Sequence, residues 1–302
     1  MDSVRAVQHT LYRAAKADPG RRFHSLWDKV LRRDVLWRAW VTVRRNNGAP
    51  GIDEVTLADV EEYGIDRLLG ELATDLRGGN YRPLPARRVF IPKPGNPAER
   101  RPLSIPSIRD RVVQAAVKIV LEPVFEADML ACSYGFRPRR GAHDGLQVMI
   151  DESWRGRRWV VETDIASCFE AIPVEKLMQA IEERVCDQSV LKLLRVMLRA
   201  GVMQDGQVRR SVAGTPQGGV MTPPTQLATW GGLLVAVTVG RCGCGGGGVA
   251  AGGDGVADDD PFGSDEDVFD QQTQHALLLG NGGAAGAGAQ AGEELLELGG
   301  QA

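Results

Sequence analysis

The sequence lacks what would mark a membrane protein or a disulfide-stapled secreted module. Its longest largely aliphatic run, Leu233 to Val239, falls far short of the ~20 residues that a spanning helix needs. No apolar stretch follows Met1-Asp2-Ser3-Val4-Arg5, so no secretory signal peptide is expected. Cysteine is sparse: Cys132, Cys168, Cys186, Cys242 and Cys244 are odd in number and scattered. That excludes a disulfide framework and fits a reducing cytosol. Cys242-Gly243-Cys244 has the spacing of half a metal site, but no second Cys or His pair lies near it. Residues 222–302 contain no lysine, and no tyrosine follows Tyr134.

What is present is the composition of a soluble globular chain, 302 residues long, 43% hydrophobic and 25% charged. The net charge of −3 hides a division. Residues 1–210 hold 35 of the 36 Lys and Arg and 28 of the 39 Asp and Glu, which makes them +7. Residues 211–302 hold one base, Arg241, and eleven acids, which makes them −10. Residues 222–302 also hold 20 of the 37 glycines. Gly/Ala/Asp-rich sequence of that kind buries too little apolar surface to offset its ordering entropy. We therefore expect a largely disordered, acidic, low-complexity tail over 222–302.

The helical periodicity predicts helices over 3–17 and 25–45, ended by the turn-rich Asn46-Asn47-Gly48-Ala49-Pro50-Gly51. Thr56 and Asp59 have capping-box spacing and open a helix to about Leu76. Six prolines between Tyr81 and Pro106 exclude a helix there. Arg87–Ile91 reads as a strand, and Lys93-Pro94-Gly95-Asn96 as a turn. Further helices are predicted from Ser107 to about Glu122, from Pro173 to about Val185 and over Ser189–Arg199. Strands are predicted over Trp159–Ile165 and Val208–Val212.

Three features point to chemistry. Asp164 sits near the end of the apolar strand Trp159–Ile165, a placement that suits a divalent-metal ligand or a simple turn cap. The glycines of Gly214-Thr215-Pro216-Gln217-Gly218-Gly219 let backbone approach a ligand, or make an ordinary turn. The extended segment with Arg87, Arg88, Lys93, Arg100 and Arg101 suits phosphate contacts, or is a solvated face.

In this order the features resemble the reverse transcriptase (maturase) encoded by bacterial group II introns. The resemblance covers about residues 1–221. It is carried by Asn46–Asp53, by Arg101-Pro-Leu-Ser-Ile-Pro106 with Asp110–Gln114, and by Leu121–Glu126. Ser133-Tyr-Gly-Phe-Arg-Pro138 with His143, Val161–Ile165 with Phe169, and Gly214–Gly219 complete it. It implies an α+β chain: an N-terminal helical region (1–80), then reverse transcriptase fingers and partial palm (81–221) of a right-hand polymerase. It implies RNA-directed DNA polymerase activity with intron RNA, template RNA and DNA primer as partners, two Mg²⁺ ions, no membrane and a cytoplasmic location. Asp164 and the Ile165 carbonyl would hold the metal. Lys93 and Arg101 would hold the triphosphate, Phe169 would reject a 2′-hydroxyl, and Pro216, Gln217 and Gly218 would line the nucleotide side. RNA contacts are expected from Arg44, Arg45, Arg87, Arg88, Arg137, Arg139 and Arg140. Glu170 stands where the family usually has Asp, and Ser104 where it usually has Gly.

The larger departure lies downstream. The family continues past Gly219 into a serine-proline-leucine-leucine helix and later a tyrosine-alanine-aspartate-aspartate hairpin whose two acids complete the metal site. Here Thr222–Trp230 follows instead, and the nearest match is Val256-Ala257-Asp258-Asp259. Its flanks are glycines before and Pro261 after, which suit a solvated acidic run better than a strand hairpin. Asp258 and Asp259 are the weaker candidates for the remaining ligands. The break near Met221 reads as a frameshift, which reading the other two frames of the coding DNA tests. The sequence therefore predicts a truncated, catalytically impaired member of the family. The alternatives are a non-catalytic RNA-binding fragment and a degenerate product without function.

Overall fold

One helix organises the described part of the chain. α6, Ile108–Glu126, buries residues on every side, from Ile108, Val112 and Val113 to Leu121, Val124 and Phe125. A helix apolar all round must be enclosed, and α6 packs against α1 (Ser3–Ala17), α2 (Trp27–Val30), α3 (Arg33–Arg45) and α5 (Ile65–Arg77). The computed structural model describes residues 2–93, 95–157, 159–160, 172–209 and 261–262. α4 is Leu57–Tyr63, α7 Ala142–Trp154, α8 Val174–Arg184 and α9 Gln188–Leu198. Four strands, β1 (Ala86–Lys93), β2 (Asn96–Ile105), β3 (Val202–Gln204) and β4 (Gln207–Arg209), form one sheet in the order β2-β1-β3-β4. The fold is α+β.

α6 runs through Pro123. Proline has no N–H to give the carbonyl four residues back, so the Ile119 carbonyl loses its helical donor. The Gln8 side chain of α1 supplies one, Nε2 donating to Ile119 O at 3.2 Å. The sequence reading ended this helix near Glu122; the tertiary hydrogen bond carries it to Glu126.

Other differences from the sequence reading are local. The predicted helix 25–45 is two helices, because Leu31 is the last residue to close on α2 and Arg32 is extended (ψ 136°). The predicted helix to Leu76 is also two, parted at Gly64, whose φ of 102° no helix interior holds. Thr56 and Asp59 do form the capping box: Asp59 N–H donates to Thr56 Oγ1 (3.2 Å) and Thr56 N–H to Asp59 Oδ2 (2.8 Å). β2 contains Pro97 and Pro102 yet is a strand, tolerated because it is the sheet edge. β3 and β4 meet at Asp205-Gly206, both with positive φ, the two-residue turn whose twist matches a hairpin. Of the predicted strand Trp159–Ile165, only Trp159 and Val160 are described; Val208–Val212 is described as far as Arg209, within β4. The tail residues 222–260 and 263–302 lie outside the described residues.

The chain closes on itself across about 160 residues of sequence. Phe23 pairs with the segment after α8, its N–H donating to Arg184 O and its carbonyl accepting from Cys186 N–H, both at 2.8 Å. Asp187, buried beside them, caps two helices at once. Its Oδ2 accepts from Leu26 and Trp27 N–H at 2.9 Å each, and its Oδ1 from Ser189 (3.0 Å) and Val190 (3.3 Å). Asp187→Ala leaves four donors unpaired, and we expect it to cost about 2–4 kcal/mol of stability, more than an ordinary cap. Urea denaturation with an unchanged slope checks this; a loss below that of a typical surface substitution would contradict it.

Candidate nucleotide and nucleic-acid interface

Strand register sorts the basic residues of the β1–β2 hairpin onto two faces. Arg87 pairs with Ile105, Val89 with Leu103 and Ile91 with Arg101, so these six share one face. Arg88 pairs with Ser104, Phe90 with Pro102 and Pro92 with Arg100, on the other. Arg100 and Arg101 are exposed; Arg87 and Arg88 are half-buried. The Lys93 backbone ends β1, where the register shifts between Pro92 and Lys93; its side chain lies outside the described residues.

The base of this hairpin is held by the loop 46–53. Arg87 Nη2 donates to Pro50 O at 2.7 Å. Arg111, buried at the start of α6, donates from Nε to Pro106 O at 3.0 Å and from Nη2 to Ala49 O. Burial pushes the Arg111 guanidinium below its ordinary value, with Asp53 opposing. Gly51 is dictated by contact: a Cβ there would meet Ser107 Cα at 2.6 Å and Ser107 N at 2.7 Å, which are backbone atoms and cannot swing away. Asp110 completes the junction. Its carboxylate accepts from Tyr81 Oη (2.6 Å), Leu84 N–H (3.0 Å) and Ser107 Oγ (2.8 Å). Desolvation pushes that carboxyl up, outweighing the three donors, which pull it down. Three separate sequence blocks, Asn46–Asp53, Arg101–Pro106 and Asp110–Gln114, thus meet at one place.

At the far end of α6 lies the loop 128–141. Arg137 points inward, its side chain only 6% exposed against 3% for its partner Glu126. Nε and Nη2 donate to Glu126 Oε1 at 2.9 and 2.6 Å, and Nη1 to the carbonyls of Leu130 (2.6 Å) and Ser133 (2.9 Å). Its guanidinium is committed to the protein's own fold. Burial raises the Glu126 carboxyl, with Arg137 holding it down. Arg139, at a positive φ of 58°, is exposed. Arg140 lies 5.5 Å from the Tyr134 ring and donates to Ala131 O. α7 then starts where Gly141 N–H meets Asp144 Oδ2 at 2.7 Å. Arg44 and Arg45 are exposed at the end of α3, Arg44 paired with Glu61.

Asp164, Ile165, Phe169, Pro216, Gln217, Gly218, Asp258 and Asp259 lie outside the described residues. Among the described residues, no three His, Cys, Asp or Glu side chains stand together as a metal site, and no helix is long and apolar enough to cross a membrane. Glu126 was overlooked in the sequence, although it and Arg137 both sit in the family-like blocks.

Two measurements check this geometry. Glu126→Ala leaves the Arg137 charge buried without its partner, and we expect a loss of about 3–5 kcal/mol. Arg139→Ala, on the surface of the same loop, should stay within about 0.5 kcal/mol of wild type. For Asp110 the folded carboxyl sits above its ordinary 3.8. Its contribution to stability is therefore complete below that value and lost as pH rises through the higher folded value. Compared with Asp110→Asn, the wild-type chain should lose stability over that window. Denaturation of both proteins from about pH 3 to about pH 8 reads the difference; a gain on raising the pH would reverse the assignment.

Residues 91–227 match the family described as reverse transcriptase (RNA-dependent DNA polymerase). Protein YkfC of Escherichia coli K12 is 35% identical over 229 residues, covering 73% of this chain and 58% of that protein. The group II intron-encoded protein LtrA of Lactococcus lactis subsp. cremoris is 32% identical over 225 residues, covering 74% of this chain and 37% of that one. A chain of a partial Cas6-RT-Cas1–Cas2 complex superposes with a TM-score of 0.47 at 22% identity, covering 68% of this chain and 34% of that chain. The present chain thus spans 58% of the length of YkfC and 37% of that of LtrA. With the blocks of loop 46–53, β2 and α6 folded together at the base of a basic hairpin, the chain belongs to the group II intron-encoded reverse transcriptase and maturase family, matching its N-terminal part.

Proposed function

We propose that the chain is the RNA- and nucleotide-handling fingers half of an intron-encoded reverse transcriptase, working in the cytoplasm on intron RNA, template RNA and a DNA primer. Residues 1–80 are its helical region, 81–221 its fingers and partial palm, and 222–302 an acidic tail outside the polymerase fold. The observation that carries the reading is the exposed pair Arg100–Arg101 on a hairpin braced by loop 46–53 and Asp110. A guanidinium on a rigid strand holds phosphate with little ordering cost. Arg101 and Lys93 are assigned to the triphosphate of the incoming nucleotide. Phe169 is assigned to rejecting a 2′-hydroxyl, and Pro216, Gln217 and Gly218 to the nucleotide side. RNA backbone is assigned to Arg44, Arg45, Arg87, Arg88, Arg139 and Arg140, with Arg137 acting inward to hold the loop that presents the last two.

The family's polymerases use Mg²⁺, which when bound neutralises charge on the transferring phosphoryl group. Here Asp164 and the Ile165 carbonyl are assigned to it, with Asp258 and Asp259 as weaker partners. Mg²⁺ dehydrates reluctantly and is held by carboxylates together with substrate phosphates. One carboxylate under-compensates two such ions. The sequence provides no tyrosine-alanine-aspartate-aspartate hairpin, since no tyrosine follows Tyr134. Each missing ligand removes several kcal/mol of transition-state stabilisation, and every ~1.4 kcal/mol is tenfold in rate.

The RNA-binding part of the proposal predicts steep salt dependence, because displaced counterions are released. Arg45→Ala and Arg139→Ala should each weaken binding about equally for all sequences and lower the salt slope by about 1. Filter binding across a salt series reads both; unchanged slopes would remove these residues from the interface. The catalytic part predicts no detectable primer extension with Mg²⁺ or Mn²⁺, and no change on Asp164→Ala. Templated DNA synthesis lost on both Asp164→Ala and Asp258→Ala would overturn the second statement and make Val256–Asp259 the other half of the active site.

A further inference from the structure

Strand β3 pairs with β1 at Ala86 and Arg87. Beyond Arg88 the β1–β2 hairpin is therefore a two-stranded ribbon among the described residues. One face of the ribbon carries Arg101, assigned above to the triphosphate. The opposite face has a different chemistry. Three cross-strand pairs follow one another along it: Arg88 with Ser104, Phe90 with Pro102, and Pro92 with Arg100. Phe90 is at the centre and is 44% exposed. Opposite side chains in such a ribbon start about 5 Å apart and diagonal ones about 7–8 Å, so Phe90 has Arg100 on one diagonal and Ser104 on the other. Arg88 lies two residues away along its own strand, on the same side. Arg100 is exposed and Arg88 half-buried. Residues 86–105 hold five bases and one acid, Glu99. At the inner end of the face, Ser104 is 1% exposed, and its Oγ and the Arg88 Nε opposite it are both buried without a hydrogen-bond partner among the described residues. Buried polar groups in that state are costly and call for a partner that the fold itself does not supply.

We infer that this face, opposite the one that takes the nucleotide, is a stacking platform for an unpaired base of single-stranded RNA. Phe90 stacks the base, Arg100 holds phosphate on one side of it, and the Arg88–Ser104 pair supplies polar contacts on the other. The occupant follows from the chemistry. A duplex hides its base faces inside its own stack, so an exposed ring fixed on a strand finds a base face in an unpaired strand. The charge of the hairpin suits a polyanion, and the two prolines beside Phe90 add apolar surface without adding acids. A single hairpin thus takes the nucleotide on one face and the unpaired strand on the other. The inference deepens the RNA-binding reading above and rests on it.

The test uses the full chain and two labelled probes, a hairpin RNA with a long unpaired purine loop and a fully paired RNA duplex of the same length. In fluorescence anisotropy, Phe90→Leu should weaken binding of the loop RNA about tenfold and leave the duplex unchanged, because an aliphatic side chain keeps the apolar contact and loses the stack. Phe90→Trp should restore wild-type affinity. Arg100→Ala should weaken the loop RNA and lower its salt slope by about 1. Ser104→Ala separates a site from a packing role: it removes a hydroxyl without a partner, so the urea midpoint should not fall, while loop-RNA affinity drops severalfold. Unchanged affinity in Ser104→Ala removes the Arg88–Ser104 pair from the site. Wild-type affinity of Phe90→Leu for the loop RNA, or an equal loss for both probes, overturns the stacking and leaves RNA binding standing. If the wild-type chain binds neither probe, the RNA-binding reading fails, and the platform with it. A dimer seen by sedimentation in wild type and lost in Phe90→Leu would overturn the inference in favour of a contact between two copies.

Discussion

A single guanidinium holds the two ends of the helical half together. Arg184, at the end of α8, is buried and reaches the C-terminus of α1. Nη2 donates to Ala15 O (3.2 Å), and Nη1 to Asp18 O (3.3 Å), Arg21 O (3.0 Å) and Pro19 O. Its Nε stands 2.9 Å from the Asp128 carboxylate just beyond α6. A helix ends with carbonyls that have no intrahelical donor and with the negative end of its dipole. A cation there meets both needs. Burying a lone guanidinium would cost several kcal/mol; four carbonyls and a carboxylate offset that. With Asp187 capping α2 and α9 next door, the chain is fixed near residues 15–27, 128 and 184–190 by groups that cannot be satisfied elsewhere.

From that anchor, α6 passes the constraint to the functional surface. Its first turn carries Asp110 and Arg111, which fix Tyr81, Leu84 and the loop 46–53 and so brace the hairpin that presents Arg100 and Arg101. Its last turn carries Glu126, which fixes Arg137 and so the loop that presents Arg139. The two basic loops are separate in sequence, but each hangs from an end of the same enclosed helix. The exposed arginines therefore start from rigid backbone, which matters because ordering a long side chain costs entropy that binding must recover.

The sequence made the elements with strong local signals legible. The apolar period of α1, the Thr56–Asp59 box and the alternation at Arg87–Ile91 each reflect a rule that acts within a few residues. What stayed hidden depends on residues far away in sequence. α6 continues past Pro123 because Gln8 completes its hydrogen bonding. α2 opens at Trp27 because Asp187, some 160 residues on, accepts from its first N–H groups. β2 forms despite its prolines because its outer edge needs no partner. The hairpin β3–β4 is three residues a side, too short to show a period, although Asp205-Gly206 was a turn signal in plain view. α7 was missed for another reason: Leu146, Met149, Ile150 and Trp154 recur at helical spacing over barely two turns, and none of the helix's residues is buried. In the candidate site, the residue types and their order were readable, but which arginine faces solvent was not.

That last distinction is the one on which function turns. Arg137, Arg139 and Arg140 stand within four residues and look equivalent in a count of positive charge. Arg137 sits between Glu126 and two carbonyls, where every hydrogen bond is made within the fold. Arg139 takes a left-handed backbone conformation, which places its side chain outward at a local cost of about 1 kcal/mol or more. Arg140 is half-engaged, with Tyr134 beneath it. Phosphate binding draws on the second kind of arginine and is enabled by the first. A net charge of +7 on residues 1–210 therefore overstates the field available to RNA, since charges such as Arg137, Arg184 and Arg111 are internally matched. The acids behave likewise: Asp110, Glu126 and Asp187 are consumed in structure. The exposed Arg100, Arg101 and Arg139 of the two arginine-bearing loops are therefore where the structure offers uncovered positive charge to a polyanion.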